Sequence, residues 1–201
     1  MAAADRRIHI VGIGGTLQER STSRWALERA LQAAAAAGAT TELLALYELD
    51  LPMFVPGRPL ESYVPSVARM LEAVRSADAL ILSTVGYHGT LAGATKNALD
   101  FFEFLSKDER PYIHEKVVGL IATAAGELAA VNAINPLVHA VHALRGTVAP
   151  LFVPIPRPGE VFDAQGNVVD PKWAGRLDQL GRLVAETASK FQPTPIDTAS
   201  L

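Results

Sequence analysis

The sequence predicts an α/β fold in which five parallel strands alternate with five helices. Short, mostly apolar runs recur along the 201 residues, and the run at 79–82 shows no apolar–polar alternation, as in a strand buried on both faces. Segments between the runs carry apolar residues at helical spacing. This order favours right-handed crossovers, with helices on both faces of one sheet.

The elements follow one another in regular order. Strands are expected at 8–11, 40–46, 77–84, 116–123 and 147–153, and helices at 25–37, 64–76, 94–105, 128–144 and 173–191. Hydroxyl side chains at 21–23 suit the N-cap of the first helix, and Gly38 suits its C-terminal cap. Helical spacing of apolar residues is clear in the second helix, at Val67, Met70, Leu71 and Val74. Pro136 either kinks the fourth helix or lies near its start.

Three segments interrupt the periodic pattern. Residues 49–59 contain three prolines and a glycine and are predicted to form a long surface loop, across a neighbouring face or a subunit interface. Residues 154–171 are predicted to form a small hairpin or an extended arm. The polar segment 192–201 is predicted to be a disordered tail, so that residues 1–191 form a single domain.

The composition argues against several classes of protein. A chain of 201 residues with 49% apolar residues suits one domain with a full core. The net charge of -3 gives no basic patch for nucleic acid. The sequence has no cysteine, which excludes disulfides, thiolate catalysis and metal sites built on cysteine. No run reaches the length of a membrane span and the first residues lack the apolar core of a signal peptide, so a cytoplasmic protein is expected.

The loop at 12–23 is predicted to bind a phosphate. Glycines followed by hydroxyl side chains, between a strand and a helix, form a nest in which backbone N–H groups hold an anion. The hydroxyls at 21–23 alone would equally suit a simple helix cap, but Gly14 and Gly15 before them favour phosphate binding. A dinucleotide fingerprint fails because Leu17 occupies the third glycine position, and a P-loop fails because no lysine follows. A terminal monophosphate fits this loop better than the pyrophosphate of a dinucleotide does.

Two segments resemble a known family. The stretch GTLQERS at 15–21 resembles the G-S-x-R-x-x-S phosphate loop of NAD(P)H-dependent FMN reductases. The stretch TVGYHG at 84–89, followed by KNALD at 96–100, is similar to the T-P-E-Y-N-G and L-K-N-A-L-D segments of that family. The stretches ATAAG at 122–126 and NPLV at 135–138 most resemble the FMN reductases that serve alkanesulfonate monooxygenases. The resemblance covers roughly residues 8–190.

The resemblance implies a flavodoxin-like, doubly wound sheet of order 2-1-3-4-5. FMN would lie with its phosphate at the first loop, its isoalloxazine at the loop after the third strand, and its remaining edge at the loop after the fourth. Hydride would pass from NAD(P)H to the flavin ring, with no catalytic side chain, and reduced FMN would be released or reoxidised in place. The implied binding residues are Gly15, Thr16, Gln18, Arg20, Ser21, Thr22, Ser23, Val85, Gly86, Tyr87, His88, Gly89, Thr123, Ala124 and Gly126. A flavin-dependent monooxygenase partner and a homodimer or homotetramer are also implied.

The sequence departs from the family pattern at three places. Thr16 replaces serine and keeps the hydroxyl, whereas Gln18 replaces arginine and removes a charge from the phosphate site. Arg20 and Arg24 are the candidates to replace that charge. In the third loop, Val85 and Gly86 replace proline and glutamate.

Three functions stay open. The first is an NAD(P)H-dependent FMN reductase, and the second is a quinone, azo-dye or metal-ion reductase with tightly bound FMN. The third is a flavodoxin-like electron carrier, which the near balance of 21 acids and 18 bases and the single tyrosine in the third loop argue against.

Three other features have structural interpretations beside functional ones. Lys96 and Asp100 are predicted to form a helical salt bridge. His139 and His142 have a spacing that could ligate a metal, but no third ligand is evident and no metal site is predicted. The apolar cluster at 101–105 is predicted to lie in the core or, following the resemblance, at a dimer interface.

Overall fold

The computed structural model describes residues 7–191, so the predicted tail at 192–201 lies outside the described residues. Its strands are β1 His9–Gly14, β2 Thr40–Ala45, β3 Ala79–Tyr87, β4 Thr90–Leu91, β5 Val117–Ala124 and β6 Thr147–Pro156. Its α-helices are α1 Thr22–Ala36, α2 Leu46–Leu49, α3 Pro65–Ser76, α4 Gly93–Asp100, α5 Glu127–Ala143, α6 Pro158–Val161 and α7 Pro171–Phe191. Short 3-10 helices cover Leu60–Ser62 and Phe101–Leu105.

The sheet has the predicted doubly wound topology. Its order is β2-β1-β3-β5-β6, with every pair parallel, and the two-residue strand β4 pairs antiparallel with the end of β3. The strand β4 was not predicted. If it is left out and the other strands are renumbered along the chain, the order is the predicted 2-1-3-4-5. The flavodoxin-like prediction is therefore confirmed.

Helices cover both faces of the sheet. One core cluster joins α3, α4 and α5 to the sheet, and the other joins α1 and α7. Leu80 belongs to the first cluster and its neighbour Ile81 to the second, and both are fully buried. Residues on both sides of the pleat need apolar partners, which explains the unbroken apolar run at 79–82.

Two strands extend beyond their predicted ends. β1 continues to Gly14 rather than ending at 11, and β3 continues to Tyr87 rather than 84. Gly86 and Tyr87 pair with Leu91 and Thr90, so these predicted loop residues lie in a hairpin instead. The hairpin satisfies backbone groups that a loop would leave to water, which the sequence pattern alone did not indicate.

The segment 154–171 contains the predicted hairpin only at 162–168, and a helix that was not predicted precedes it. β6 extends three residues further than expected, α6 follows, and a single antiparallel bridge joins Phe162 to Val168. Trp25 of α1 packs on Phe162, with ring centroids 5.9 Å apart, and this contact fixes the segment against the first loop.

The apolar cluster at 101–105 belongs mainly to the core. Phe101, Phe102 and Leu105 are at most 1% exposed, and Phe104 is half-buried. The 3-10 conformation of Phe101–Leu105 corrects the prediction of one continuous helix to 105. In α5, Pro136 lies in the middle of the helix rather than near its start.

Asp178→Asn should reduce stability at neutral pH and have little effect in acid. Arg29 of α1 donates two hydrogen bonds to Asp178 of α7, at 2.5 and 2.7 Å. These hydrogen bonds are the main reason that the pKa of Asp178 lies below its ordinary 3.8. A lowered pKa means that the pair stabilises the fold above the unfolded pKa and loses this effect as the pH falls through the folded one. Since Arg29 is 39% exposed, we expect a loss of only about 0.5–1 kcal/mol at pH 7.

Urea unfolding of wild type and Asp178→Asn at pH 7 and pH 3 measures this difference. Glu186→Gln, at an exposed position of α7, is the control for removing one negative charge. A stability difference that is equally large at both pH values would contradict the assignment.

Candidate functional site

The carboxyl ends of β1, β3 and β5 meet at one edge of the sheet. A Cβ added to Gly14 would lie 2.5 Å from the carbonyl oxygen of Ser83, so the ends of β1 and β3 approach as closely as glycine allows. A Cβ on Gly86 would lie 2.7 Å from the carbonyl oxygen of Ala129 in α5. The three predicted loops are thus brought together, as expected for the ligand edge of such a sheet.

The first loop ends in a row of hydrogen-bond donors. Ser21 caps α1 by accepting a hydrogen bond from the Arg24 N–H at 3.4 Å, and its Oγ lies 3.0 Å from that of Ser23. Both serines are buried, at 3% and 0% exposure. Ser83 donates to the Ser23 carbonyl at 2.8 Å and so ties this turn to β3.

This turn fits a phosphate group. The first N–H groups of a helix have no intrahelical partner, and the helix dipole adds a partial positive charge. Within Thr22–Ala36, the first turn carries no acidic residue. Gly15, with a φ of 94°, turns the backbone into the left-handed region and lies close beneath Ser21. Ser21 therefore acts as a helix cap and also belongs to a cradle of donors.

Both arginines near the loop have partners elsewhere. Arg24 bonds Glu28 at 2.8 Å and Glu48 at 3.1 Å, and the hydrogen bond to Glu28 is the main reason that the pKa of Arg24 is raised. Arg20 donates to the carbonyl oxygen of Ala164, in the segment after β6. Gln18 is exposed, and its N–H donates to the Thr16 hydroxyl at 3.2 Å. The structure therefore directs neither Arg20 nor Arg24 to the position that Gln18 leaves uncharged.

The β3–β4 hairpin presents its tip to solvent. Val85 and Gly86 are half-buried, whereas Tyr87 is 54% exposed. His88 and Gly89 form the turn, with φ angles of 50° and 81°. Gly86 packs against α5, whereas the turn at Gly89 is open, so a flat ligand lying on this hairpin would meet the exposed ring of Tyr87 and the backbone at Gly89.

The loop after β5 completes the edge. Thr123 is 1% exposed, and its hydroxyl accepts a hydrogen bond from the Thr22 hydroxyl at 3.5 Å, which links the first loop to this one. The carbonyl of Ala124 accepts from the N–H of Arg157 at 2.9 Å, and Gly126 caps α5.

Asn97 is a residue whose role the sequence did not indicate. Its Nδ2 donates to the carbonyl of Pro52 at 2.8 Å, and its Oδ1 accepts from the N–H of Phe54 at 2.9 Å. Tyr63 holds the next residue, Val55, by hydrogen bonds to its N–H and carbonyl. The predicted surface loop is therefore fixed to α4. The family resemblance at 96–100 includes Asn97. It could not indicate this role, because the residues that Asn97 bonds lie some forty positions earlier in the chain.

Asn97→Ala should lower stability by about 1–2 kcal/mol, because it removes two part-buried hydrogen bonds that hold the loop. The matched control is Lys96→Ala. It removes the predicted salt bridge to Asp100, which is present but largely exposed, and should cost less than about 0.5 kcal/mol. Urea unfolding compares the two variants, and equal losses would contradict the role of Asn97.

An apolar pocket of 130 Å³ opens beside the first loop. Its walls come from Leu17, from the connection after β2, and from the start of α4. A larger cavity of 500 Å³ lies around Arg75, Asp108 and Lys116. These residues surround the amino ends of β3 and β5, at the opposite edge of the sheet from the glycine loops.

Two other sequence features can be placed. His139 and His142 are exposed on α5, and within residues 7–191 no group of three potential ligands among His, Cys, Asp and Glu converges as a metal site. In the same part of the chain, every helix is too short or too polar to cross a bilayer. Lys96 and Asp100 form the predicted ion pair.

The chain resembles flavin-dependent reductases over most of its length. Residues 8–158 match the model of the family described as NADPH-dependent FMN reductase. An NAD(P)H-dependent FMN reductase of Pseudomonas aeruginosa is 30% identical over 175 residues, covering 86% of this chain and 90% of that protein. An NADPH azoreductase of a Bacillus species is 36% identical over 95 residues, about half of each chain (46% and 49%).

A solved structure shares the fold. The flavoenzyme NAD(P)H:(acceptor) oxidoreductase FerB of Paracoccus denitrificans superposes with a TM-score of 0.72 at 20% identity, over 92% of this chain and 98% of FerB. The family match covers well over half of the chain, and the fold, the glycine-bearing edge and the donor cradle agree with it. The chain belongs to the NADPH-dependent FMN reductase family, as an oxidoreductase with FMN as cofactor and NAD(P)H as co-substrate.

Proposed function

We propose that this protein reduces FMN with NAD(P)H and that FMN binds across the three loops. The phosphate would lie at the first turn of α1, the isoalloxazine ring at the β3–β4 hairpin, and the remaining edge at the loop after β5. The observation that carries the proposal is the buried pair Ser21 and Ser23 at the N-terminus of a helix whose first turn carries no acidic residue. The fifteen residues predicted from the sequence lie in the first loop and the first turn of α1, in the β3–β4 hairpin, and at the end of β5 with the turn after it, and they remain the proposed contacts.

The bound flavin supplies the redox chemistry, accepting hydride from NAD(P)H. The protein's contribution is to bind and orient. The donors of the first turn would hold the phosphate, Gly89 leaves open space at the turn of the hairpin, and Tyr87 offers an exposed aromatic face. The hydrogen bond from Thr22 to Thr123 joins the proposed phosphate site to the end of β5, where the remaining edge of the flavin would lie.

We further propose that FMN exchanges with solution rather than staying bound. Charge-assisted hydrogen bonds are about twice as strong as neutral ones, and the first loop offers mainly neutral donors because Arg24 is paired with two glutamates. Release of reduced FMN is what a flavin-dependent monooxygenase requires of its reductase. The resemblance of 122–126 and 135–138 to reductases of alkanesulfonate monooxygenases supports such a partner.

A second candidate is reduction of an aromatic acceptor by flavin that stays in place. The identity to an azoreductase and the apolar pocket beside the first loop favour it. The third hypothesis, an electron carrier without pyridine-nucleotide activity, is disfavoured because the family is one of oxidoreductases.

Purified protein separates these candidates. If FMN exchanges, extensive dialysis yields colourless protein that oxidises NADH or NADPH only after FMN is added. Yellow protein that keeps its flavin and reduces a quinone or azo dye supports the second candidate. If neither nucleotide is oxidised with FMN and an acceptor present, the proposed function is wrong.

Gln18→Arg should tighten FMN binding about tenfold. The new guanidinium would add one charge-assisted hydrogen bond to the phosphate, reduced in strength by the exposure of the loop. Fluorescence titration with FMN measures the dissociation constant, and the gain should shrink at high salt. Gln18→Glu is the matched opposite and should weaken binding by a similar factor. If neither charge alters FMN affinity, the phosphate does not lie at this loop.

We also propose a homodimer or homotetramer. Large apolar side chains are exposed at Val55, Val64 and Leu128, at 46%, 45% and 80%. Light scattering coupled to gel filtration measures the state, and a monomer at every concentration would contradict this proposal.

A further inference from the structure

Two adjacent hydroxyl side chains near the end of β3 are completely buried. Ser83 and Thr84 are each 0% exposed. Because successive side chains of a strand point to opposite faces of the sheet, the two hydroxyls meet different helices. Ser83 bonds to α1 on one face, and Thr84 bonds to the start of α4 on the other. A buried hydroxyl is costly without hydrogen-bond partners, so these partners show which segments the two residues hold in place.

Ser83 holds the phosphate end of the site. Its hydroxyl donates to the carbonyl of Ser23, in the first turn of α1, at 2.8 Å. β1 is in tight contact with the same residue, since a Cβ added to Gly14 would lie 2.8 Å from the Cβ of Ser83. The first loop begins where β1 ends and leads into α1. Both ends of that loop are therefore fixed against Ser83.

Thr84 holds the base of the β3–β4 hairpin. Its Oγ1 accepts a hydrogen bond from the N–H of Ala92 at 3.1 Å and lies 2.9 Å from the hydroxyl oxygen of Thr95. Ala92 is the N-cap residue of α4, and its side chain makes no capping hydrogen bond. The Thr84 hydroxyl thus joins the strand that enters the hairpin to the segment that leaves it. The hairpin is closed at its base and tied to the first turn of α4.

The hairpin is held on its other side by α5. A Cβ added to Gly86 would lie 2.7 Å from the carbonyl oxygen of Ala129, so the hairpin already packs as closely on that helix as glycine allows. With Thr84 on one side and α5 on the other, the position of the exposed Tyr87 ring is fixed from below.

We propose that Ser83 and Thr84 are a pair of positioning residues that fix where the phosphate and the ring of a flavin bind relative to each other, and this rests on the FMN site proposed above. Ser83 acts on the phosphate through Ser23, and Thr84 acts on the ring through the hairpin. Because the two residues are adjacent, one peptide unit of β3 is the common reference for both ends of the site. Neither side chain touches the flavin.

Two flavins separate the two roles. Riboflavin has the ring system of FMN but no phosphate. Loss of the Ser83 hydrogen bond should therefore weaken binding of FMN and leave that of riboflavin nearly unchanged. Loss of the Thr84 hydrogen bonds should weaken binding of both flavins by the same factor. A general loss of stability would not distinguish the two ligands.

Fluorescence titration with oxidised FMN and oxidised riboflavin measures both dissociation constants without turnover. Ser83→Ala should weaken FMN binding about fivefold and riboflavin binding less than about twofold, since one neutral hydrogen bond is lost. Thr84→Val, which has nearly the same shape, should weaken binding of both flavins about fivefold. Thr84→Ser keeps the hydroxyl and should recover most of that loss. Thr147→Val, at an exposed position of β6, is the control and should change neither constant.

Amide hydrogen exchange tests the anchoring of the hairpin without any flavin. The N–H of Ala92 donates to Thr84, so Thr84→Val should raise its exchange rate at least about tenfold. Thr84→Ser should keep this N–H protected. The N–H of Ile81, in the buried centre of β3, should exchange as in the wild type. An equal rise at Ile81 would mean that the hydroxyl stabilises the whole fold rather than the hairpin, and it would overturn the inference.

Three further results would overturn it. They are equal weakening of FMN and riboflavin in Ser83→Ala, unchanged binding of both flavins in Thr84→Val, and unchanged exchange at Ala92 in Thr84→Val. If wild-type protein still oxidises NADH or NADPH with FMN, those results leave the proposed function standing. If the expected pattern of flavin binding is found but neither nucleotide is oxidised, the proposed function fails and the positioning by Ser83 and Thr84 does not. Wild-type protein that binds neither flavin would contradict both.

Discussion

Ser21→Asp should weaken FMN binding by at least about 100-fold. The carboxylate would stand at the N-cap of α1, in contact with the proposed phosphate position, and two like charges about 4 Å apart near a protein surface repel by about 4 kcal/mol. Helix α1 itself should persist, because aspartate is as good an N-cap as serine. The loss should therefore appear in the dissociation constant for FMN, measured by fluorescence titration, and not in the far-UV circular dichroism.

Ser21→Asn is the control that separates charge from size. Asparagine has nearly the shape of aspartate and also caps helices, but it carries no charge. It should lose less than about tenfold in FMN affinity. Equal losses in both variants would indicate crowding by the larger side chain, and unchanged affinity in Ser21→Asp would disprove the assignment of the first loop.

Gly181→Ala should have the largest effect on stability, at least about 3 kcal/mol. Gly181 lies on α7 where this helix crosses α1, and an added Cβ would lie 2.0 Å from the carbonyl oxygen of Ala30 and 2.9 Å from the N atom of Ala34. Both are backbone atoms of a regular helix and cannot rotate away, so the two helices must separate. The better helix propensity of alanine returns only about 1 kcal/mol.

The same substitution at Gly175 provides the comparison. Gly175 is an exposed residue of the same helix, and no atom lies within 4 Å of its added Cβ. Gly175→Ala should stabilise the protein by about 0.5–1 kcal/mol, since only the propensity changes. Urea unfolding measures both variants, and insolubility of Gly181→Ala alone would agree with the prediction. Equal changes in the two variants would contradict the close helix crossing.

The strands and the N-terminus of α1 could be predicted because their signals are local. A strand buried on both faces requires a continuous apolar run, and 79–82 has one. The N-terminus of α1 requires a capping side chain within one turn, and Ser21 is adjacent to it. The family resemblance then identified the cofactor, and the match over residues 8–158 agrees with it.

The extent of the strands could not be predicted in the same way. β1 reaches Gly14 because Ala45 of β2 pairs with it, and β3 reaches Tyr87 because Thr90 folds back to pair with it. Each extension depends on a partner strand, and strand ends are set by pairing rather than by the residues within them.

The distant partners of Arg20 and Arg24 were decided only by tertiary structure. The sequence left Arg20 and Arg24 as equal candidates for the missing charge at Gln18. Folding brings Glu48 to Arg24 and the carbonyl of Ala164 to Arg20.

The sequence by itself thus determined the fold class, the alternation of the five main strands with five helices, the helix cap at Ser21 and the family. The tertiary structure decided that the first loop has mainly neutral donors, that Asn97 fixes the proline-rich loop, and that an apolar pocket opens beside Leu17. The physical reason is the distance along the chain between the residues that interact. Periodicity and capping depend on residues within one or two turns, whereas ion pairs, loop anchors and pockets join residues that are tens of positions apart and meet only when the sheet is complete.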